Sequence, residues 1–140
     1  MSIITEVVSS KCLKLKSSPT RSIIIAEFPI ITVENFNEVK SDIQFLISYL
    51  RENKVKFLLV DVRKSEIKIP VSDYSAFVAW CNLEFLETRL EKVARAIGPG
   101  QENDARFFKD EVHAYDNNFC IPFRDFLSFR EAYSWLSLPV

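Results

Sequence analysis

The stretch from Lys56 to Lys64, KFLLVDVRK, sets the tightest limit on how this chain folds. Phe57, Leu58, Leu59 and Val60 run without a polar break, and Val62 follows a single acid, Asp61. An alternating pattern would leave one face wet. A continuous run needs cover on both faces and reads as an interior strand of a parallel sheet, surfacing at Asp61. The cover is available. The chain is 48% hydrophobic and 12 of its 140 residues are Phe, enough for a packed core in one domain spanning residues 1–140.

The flanking sequence supplies alternating elements. Ile3 to Ser10 is rich in β-branched residues and predicts a first strand. Lys11 to Lys16 alternates lysines with Cys12, Leu13 and Leu15, which predicts an antiparallel strand at a sheet edge. Ser17 to Thr20 reads as a turn, and Arg21 to Phe28 as a third strand. From a cap at Thr32 to about Asn53, the apolar residues Phe36, Val39, Ile43, Leu46, Ile47 and Leu50 form one helical stripe. Strand, helix and KFLLVDVRK therefore make a right-handed βαβ unit. Ser72 reads as the cap of a second helix with Tyr74, Phe77, Val78, Cys81 and Phe85 inward; its end falls anywhere between Asn82 and Arg89. Lys92 to Ile97 is the next strand, and Gly98-Pro99-Gly100 a sharp turn. A third helix is expected over Glu102 to Tyr115 and an edge strand over Phe119 to Phe123, where Pro122 cannot donate to a ladder. Ser128 and Glu131 have the spacing of a capping box opening a last helix. The expected class is α/β: one mainly parallel sheet, an N-terminal antiparallel hairpin and about four helices.

Composition excludes several functions. A net charge of −1 supplies no field for nucleic acid. No segment approaches the length of a transmembrane helix, and no charged start leads into an apolar run, so a cytoplasmic protein is expected. Cys12, Cys81 and Cys120 are odd in number and lack a CxxC pair; they read as free thiols. With one histidine, the chain offers no structural zinc set. Two glycines cannot build the usual phosphate-cradling loops, and no cofactor is expected.

Ligands of open α/β sheets bind beyond the carboxyl ends of strands. That places Asp61, Arg63, Ser72 and Gly98 around one shallow candidate site for a ligand or partner. The plain alternative is that Asp61 accepts loop N–H groups and Gly98 serves its turn. His113 has no nucleophile or metal partner in sequence and is not expected to be catalytic. Glu102, Asp104, Asp110 and Glu111 read as an acidic helix face. Trp80, Trp135, Phe107 and Phe108 are candidates for an exposed apolar patch, or for the core.

Three segments carry a family resemblance over most of the chain: Leu58-Leu59-Val60-Asp61, Lys92-Val93-Ala94, and FRDFLSFREAYSWL from Phe123 to Leu136. Together they resemble the STAS fold, and within it the SpoIIAA-like group of small stand-alone proteins. The resemblance implies a right-handed βα superhelix. In the anti-sigma antagonists of that fold, a serine in a D-S-[ST]-G-like turn is phosphorylated. Here Arg63-Lys64-Ser65-Glu66 and Pro70-Val71-Ser72-Asp73 lack the motif, and Ser72 is the nearest positional candidate. The functional expectation is a non-enzymatic regulatory or interaction module that binds a protein partner or a second copy of itself. A domain for a small apolar ligand or lipid is the first alternative, and an enzyme using Asp61 the second.

Overall fold

The computed structural model describes residues 5–9, 12–18, 23–99 and 121–138. In chain order these form β1 (Thr5–Ser9), β2 (Lys14–Ser18), β3 (Ile23–Glu27), β4 (Ile31–Thr32), α1 (Phe36–Glu52), β5 (Phe57–Asp61), β6 (Ile67–Lys68), α2 (Val71–Phe85), β7 (Lys92–Ala96), β8 (Phe123–Phe126) and α3 (Phe129–Ser137). Six strands make one sheet in the order β1-β2-β3-β5-β7-β8. The pairs β1–β2 and β2–β3 are antiparallel, and β3, β5, β7 and β8 are parallel. This is the α/β architecture with an N-terminal hairpin that the sequence predicts. The described residues hold three helices where about four are expected; the expected helix over 102–115, with His113, Phe107, Phe108 and the acidic face, lies outside them.

Side-chain alternation in β3, β5 and β7 divides the interior into two cores. Ile24, Leu58, Val60 and Val93 join the buried faces of α1 and α2. Ile23, Ile25, Leu59, Ala94 and Ala96 pack with Ala132 and Leu136 of α3. Leu58 and Leu59 are both fully buried, on opposite faces. The small residues Ala94 and Ala96 let the short α3 sit close to the sheet. Its start is capped by Ser128 as expected, with the Glu131 N–H donating to Ser128 Oγ at 3.0 Å. Its end is held by Lys92, whose Nζ donates to the carbonyls of Trp135 and Leu138 at 3.2 and 3.3 Å. A cation at exposed helix carbonyls also complements the helix dipole.

Local boundaries differ from the sequence reading for identifiable reasons. Thr32 does not cap α1, because its backbone pairs with Lys68 in the small β4–β6 ladder. Thr32 and Asn35 instead exchange bonds: the Thr32 N–H donates to Asn35 Oδ1 at 2.8 Å and the Asn35 N–H to Thr32 Oγ1 at 3.2 Å. Helix α1 therefore starts at Phe36. Ser72 lies inside the first turn of α2, whose cap position is Pro70. The proline has no N–H to satisfy, so it stops the upstream chain without a side-chain cap. Helix α2 ends at Phe85, within the expected interval. Strand β2 is interior, with β1 outside it. The last strand begins at Phe123 because Pro122 offers only its carbonyl, which accepts the Val93 N–H at 3.0 Å.

The α1–β5 turn contains the one non-glycine residue with positive φ among the described residues, Lys54 at 52°. The Val55 N–H reaches the Leu50 carbonyl at 3.0 Å and the Lys54 N–H the Arg51 carbonyl at 3.4 Å. This is a Schellman C-cap with lysine where glycine is preferred. Replacing Lys54 by Gly relieves the left-handed strain and is expected to raise stability by about 0.5–1 kcal/mol, read from urea unfolding. Leu59→Ala should cost about 2–5 kcal/mol in the same measurement, because it opens a void between β5 and α3.

Candidate functional site

Asp61 ends β5 and is only 5% exposed. Its carboxylate is occupied. Oδ1 accepts the Arg63 backbone N–H at 3.1 Å and Arg63 Nε at 2.9 Å, and Oδ2 accepts Arg63 Nη2 at 2.8 Å. The hydrogen bond to Asp61 is the main cause holding the Arg63 guanidinium above its ordinary pKa. Arg63 also lies over the Phe129 ring, 5.2 Å from its centroid. The pair therefore ties the β5 terminus to α3, and a bidentate carboxylate engaged this way is a poor general base.

The other two expected site residues take different places. Ser72 is exposed on the first turn of α2. Gly98 is buried two residues beyond β7. None of Asp61, Arg63, Ser72 or Gly98 lines the apolar cavity described next. The tryptophans are half-buried on opposite sides of the sheet. Trp80 packs on the α1–α2 core, 6.2 Å from Phe77, and Trp135 on the α3 core, 5.7 Å from Phe126. They do not share a patch. Cys81 is a free thiol, the Cys12 thiol donates to Glu38 Oε2 at 3.6 Å, and Cys120 lies outside the described residues. Burial pushes the Cys81 thiol far above its ordinary pKa, with Glu84 adding to the shift, so it holds its proton at neutral pH. No group of three His, Cys, Asp or Glu side chains that could hold a metal occurs among the described residues.

An apolar cavity of about 50 Å³ lies between the sheet and the α1–α2 layer. One probe sphere of water needs roughly 10–15 Å³, so this exceeds an ordinary packing defect. Val60 and Ile97 form part of its floor, and Phe77, Cys81 and Phe85 of α2 part of its roof. Ile31 and Ile67 face each other in the β4–β6 ladder, and both line it. The ladder's two strands follow the carboxyl ends of β3 and β5 in the chain, the side where a βα fold ordinarily binds its ligand. Ser65 reinforces this corner by donating Oγ–H to the Pro29 carbonyl at 2.7 Å.

Arg95 is the one charged residue among the described residues lining the cavity, and it is 2% exposed. A bidentate pair with Asp125 balances it, Nε to Oδ1 at 2.8 Å and Nη2 to Oδ2 at 3.0 Å. Its guanidinium also lies 5.7 Å from the Phe123 centroid. The sequence reading placed Arg95 in a strand and gave it no role. The available signal was a cation inside the apolar run VARAI, which demands a buried anion, and the acid in FRDF that answers it.

Two measurements check this geometry. Asp61→Asn should lower stability by about 1–3 kcal/mol in urea unfolding, because the Arg63 guanidinium loses its ionic acceptor. For Cys81, the folded pKa is raised, so above the unfolded value near pH 8.5 the unfolded chain ionises while the folded chain does not. Stability should then fall with rising pH by up to about 1.4 kcal/mol per unit, and Cys81→Val should flatten that alkaline limb.

No family model matches the sequence, and no curated protein matches it. Among solved structures, an uncharacterised protein of the DUF3478 family with a SpoIIAA-like fold, from Shewanella loihica PV-4, is similar to it. The two are 12% identical, superpose with a TM-score of 0.52, and cover 97% of each other's length. The strand order, the N-terminal hairpin and this overlap together establish that the chain has a SpoIIAA-like fold.

Proposed function

We propose that this chain is a non-enzymatic binding module whose ligand is a small apolar molecule held between the sheet and α2. The observation that carries this reading is the cavity: about 50 Å³, walled almost wholly by apolar side chains. Binding pockets combine an apolar wall with a few polar groups that orient the ligand. Ser65, Tyr74 and Arg95 are such groups here. A dry cavity of about 150 Å³ holds benzene. The ligand of this one is smaller, or α2 moves outward as it enters.

The non-enzymatic part rests on the candidate chemistry. Arg63 holds both oxygens of the Asp61 carboxylate. The Cys81 thiol is protonated and buried. A nucleophile or general base needs the opposite of each arrangement.

A partner-binding role, as protein complex or homodimer, is a second reading with its own support. Val33, Val71 and Leu127 are 70%, 69% and 63% exposed. Val33 follows β4, Val71 opens α2 shortly after β6, and Leu127 follows β8. Exposed apolar residues of this size suit a protein contact. No helix among the described residues is long and apolar enough to cross a membrane.

Native mass spectrometry of the protein purified from cells, followed by titration with small apolar probes, tests the first reading. Bound probe should move the NMR signals of Val60 and Ile97. Val60→Phe fills the floor of the cavity and should abolish the shifts; unchanged binding in that variant would place the probe elsewhere. Light scattering tests the second: Val71→Asp should convert an oligomer to monomer, and a wild-type monomer at all concentrations contradicts self-association.

A further inference from the structure

We infer that the cavity is the inner half of a larger site, divided by Phe77 from an outer groove. Its guest is an amphiphile, with an apolar part the size of a phenyl ring inside and a hydrogen-bonding head outside. The inference rests on the apolar-ligand reading and names its ligand class. The groove lies between α1 and α2, is open to solvent and measures about 670 Å³. That is the size of a small-molecule site. Phe36, Lys40, Ser41 and Gln44 of α1 line one side, and Asp73 and Trp80 of α2 the other. Among the described residues, Phe77 alone lines both the groove and the cavity.

Phe77 is suited to move. Its ring meets the Phe36 ring edge-on, with centroids 5.5 Å apart, and lies 6.2 Å from Trp80. Both neighbours belong to the groove wall. These ring contacts hold no hydrogen bond that rotation must break. A ring beside a void also lacks part of the packing that fixes a core side chain. Rotation about χ1 carries it to another staggered position. Turned toward the groove, the ring vacates its own volume beside the cavity, and an aryl group of the guest takes that place. The cavity alone, at about 50 Å³, lacks this room. The head stays in the groove, where Lys40, Ser41, Gln44 and Asp73 offer donors and acceptors. The apolar end leaves water while the polar end keeps its hydrogen bonds.

Phenethyl alcohol and ethylbenzene, which differ by a hydroxyl, test this by NMR titration of the whole protein. Phenethyl alcohol should move the Val60 and Ile97 signals of the cavity and the Trp80 indole N–H signal of the groove together, with a single dissociation constant. A closed apolar chamber would penalise the hydroxyl about tenfold or more in affinity, whereas here the penalty should stay below about threefold. Ala76 and Gln44 are exposed and line the groove but not the cavity. Ala76→Trp fills the groove and should weaken both probes about tenfold or more, since the rotated ring loses its space. Gln44→Trp, on the α1 side, should do the same and covers the case in which Ala76→Trp does not fold. A hydroxyl penalty of about tenfold, cavity shifts without a Trp80 shift, or full affinity in both variants would overturn the inference and leave the cavity reading standing. No cavity shift with either probe would overturn both.

Discussion

Strand β5 cannot be left half-covered. Leu58 and Val60 belong to one core and Leu59 to the other, so the strand requires an apolar layer on each face and a hydrogen-bonded neighbour on each side. The remaining elements meet those four demands. Strands β3 and β7 flank it in parallel, α1 and α2 cover one face, and α3 covers the other. The polar residues near it follow the same alternation. Lys92 lies toward α3 and caps its carbonyls, whereas Arg95 reaches the wall of the α1–α2 cavity. Two buried cations one strand away from β5 are tolerable only because each has partners on its own face.

The same constraint explains why the strand edge holds little exposed chemistry. Where β5 surfaces, Asp61 meets Arg63 at once and the pair leans on Phe129 of α3. The β4–β6 ladder follows the strand ends in the chain, with Ile31 opposite Ile67. The apolar cavity lies beside that ladder and beneath α2. An apolar chamber with a balanced ion pair in its wall is the outcome. Such a chamber suits recognition by shape and hydrophobicity more than chemistry on a polar substrate.

Much of the architecture was legible from residue pattern. The continuous run in β5, the stripe from Phe36 to Leu50 and the Ser128–Glu131 box are strong local signals, and each element formed where its signal lies. The failures share one cause: a partner distant in sequence. Thr32 has the chemistry of a cap, but Lys68, far along the chain, draws its backbone into a ladder. The segment FRDF looks too polar for a strand until Arg95 is placed opposite Asp125. The candidate site is a different case. Asp61 was correctly located at a strand end, and its engagement by Arg63 depends on a rotamer that no spacing encodes. The cavity is a difference between packed volumes contributed by β4, β5, β6, α1 and α2. Periodicity identifies which side chains face inward, and it carries no measure of whether they fill the space.

The SpoIIAA-like fold, the clasped strand edge and the apolar cavity together support the function we propose, a small α/β module that holds a small apolar guest. Crystallography under xenon pressure addresses that description most directly, because xenon enters dry apolar cavities and is visible without any knowledge of the natural ligand. The expected result is a single strong xenon peak bounded by Val60, Phe77 and Ile97. A cavity closed by rearranged side chains, or filled by ordered water hydrogen-bonded to Ser65 and Arg95, would contradict it.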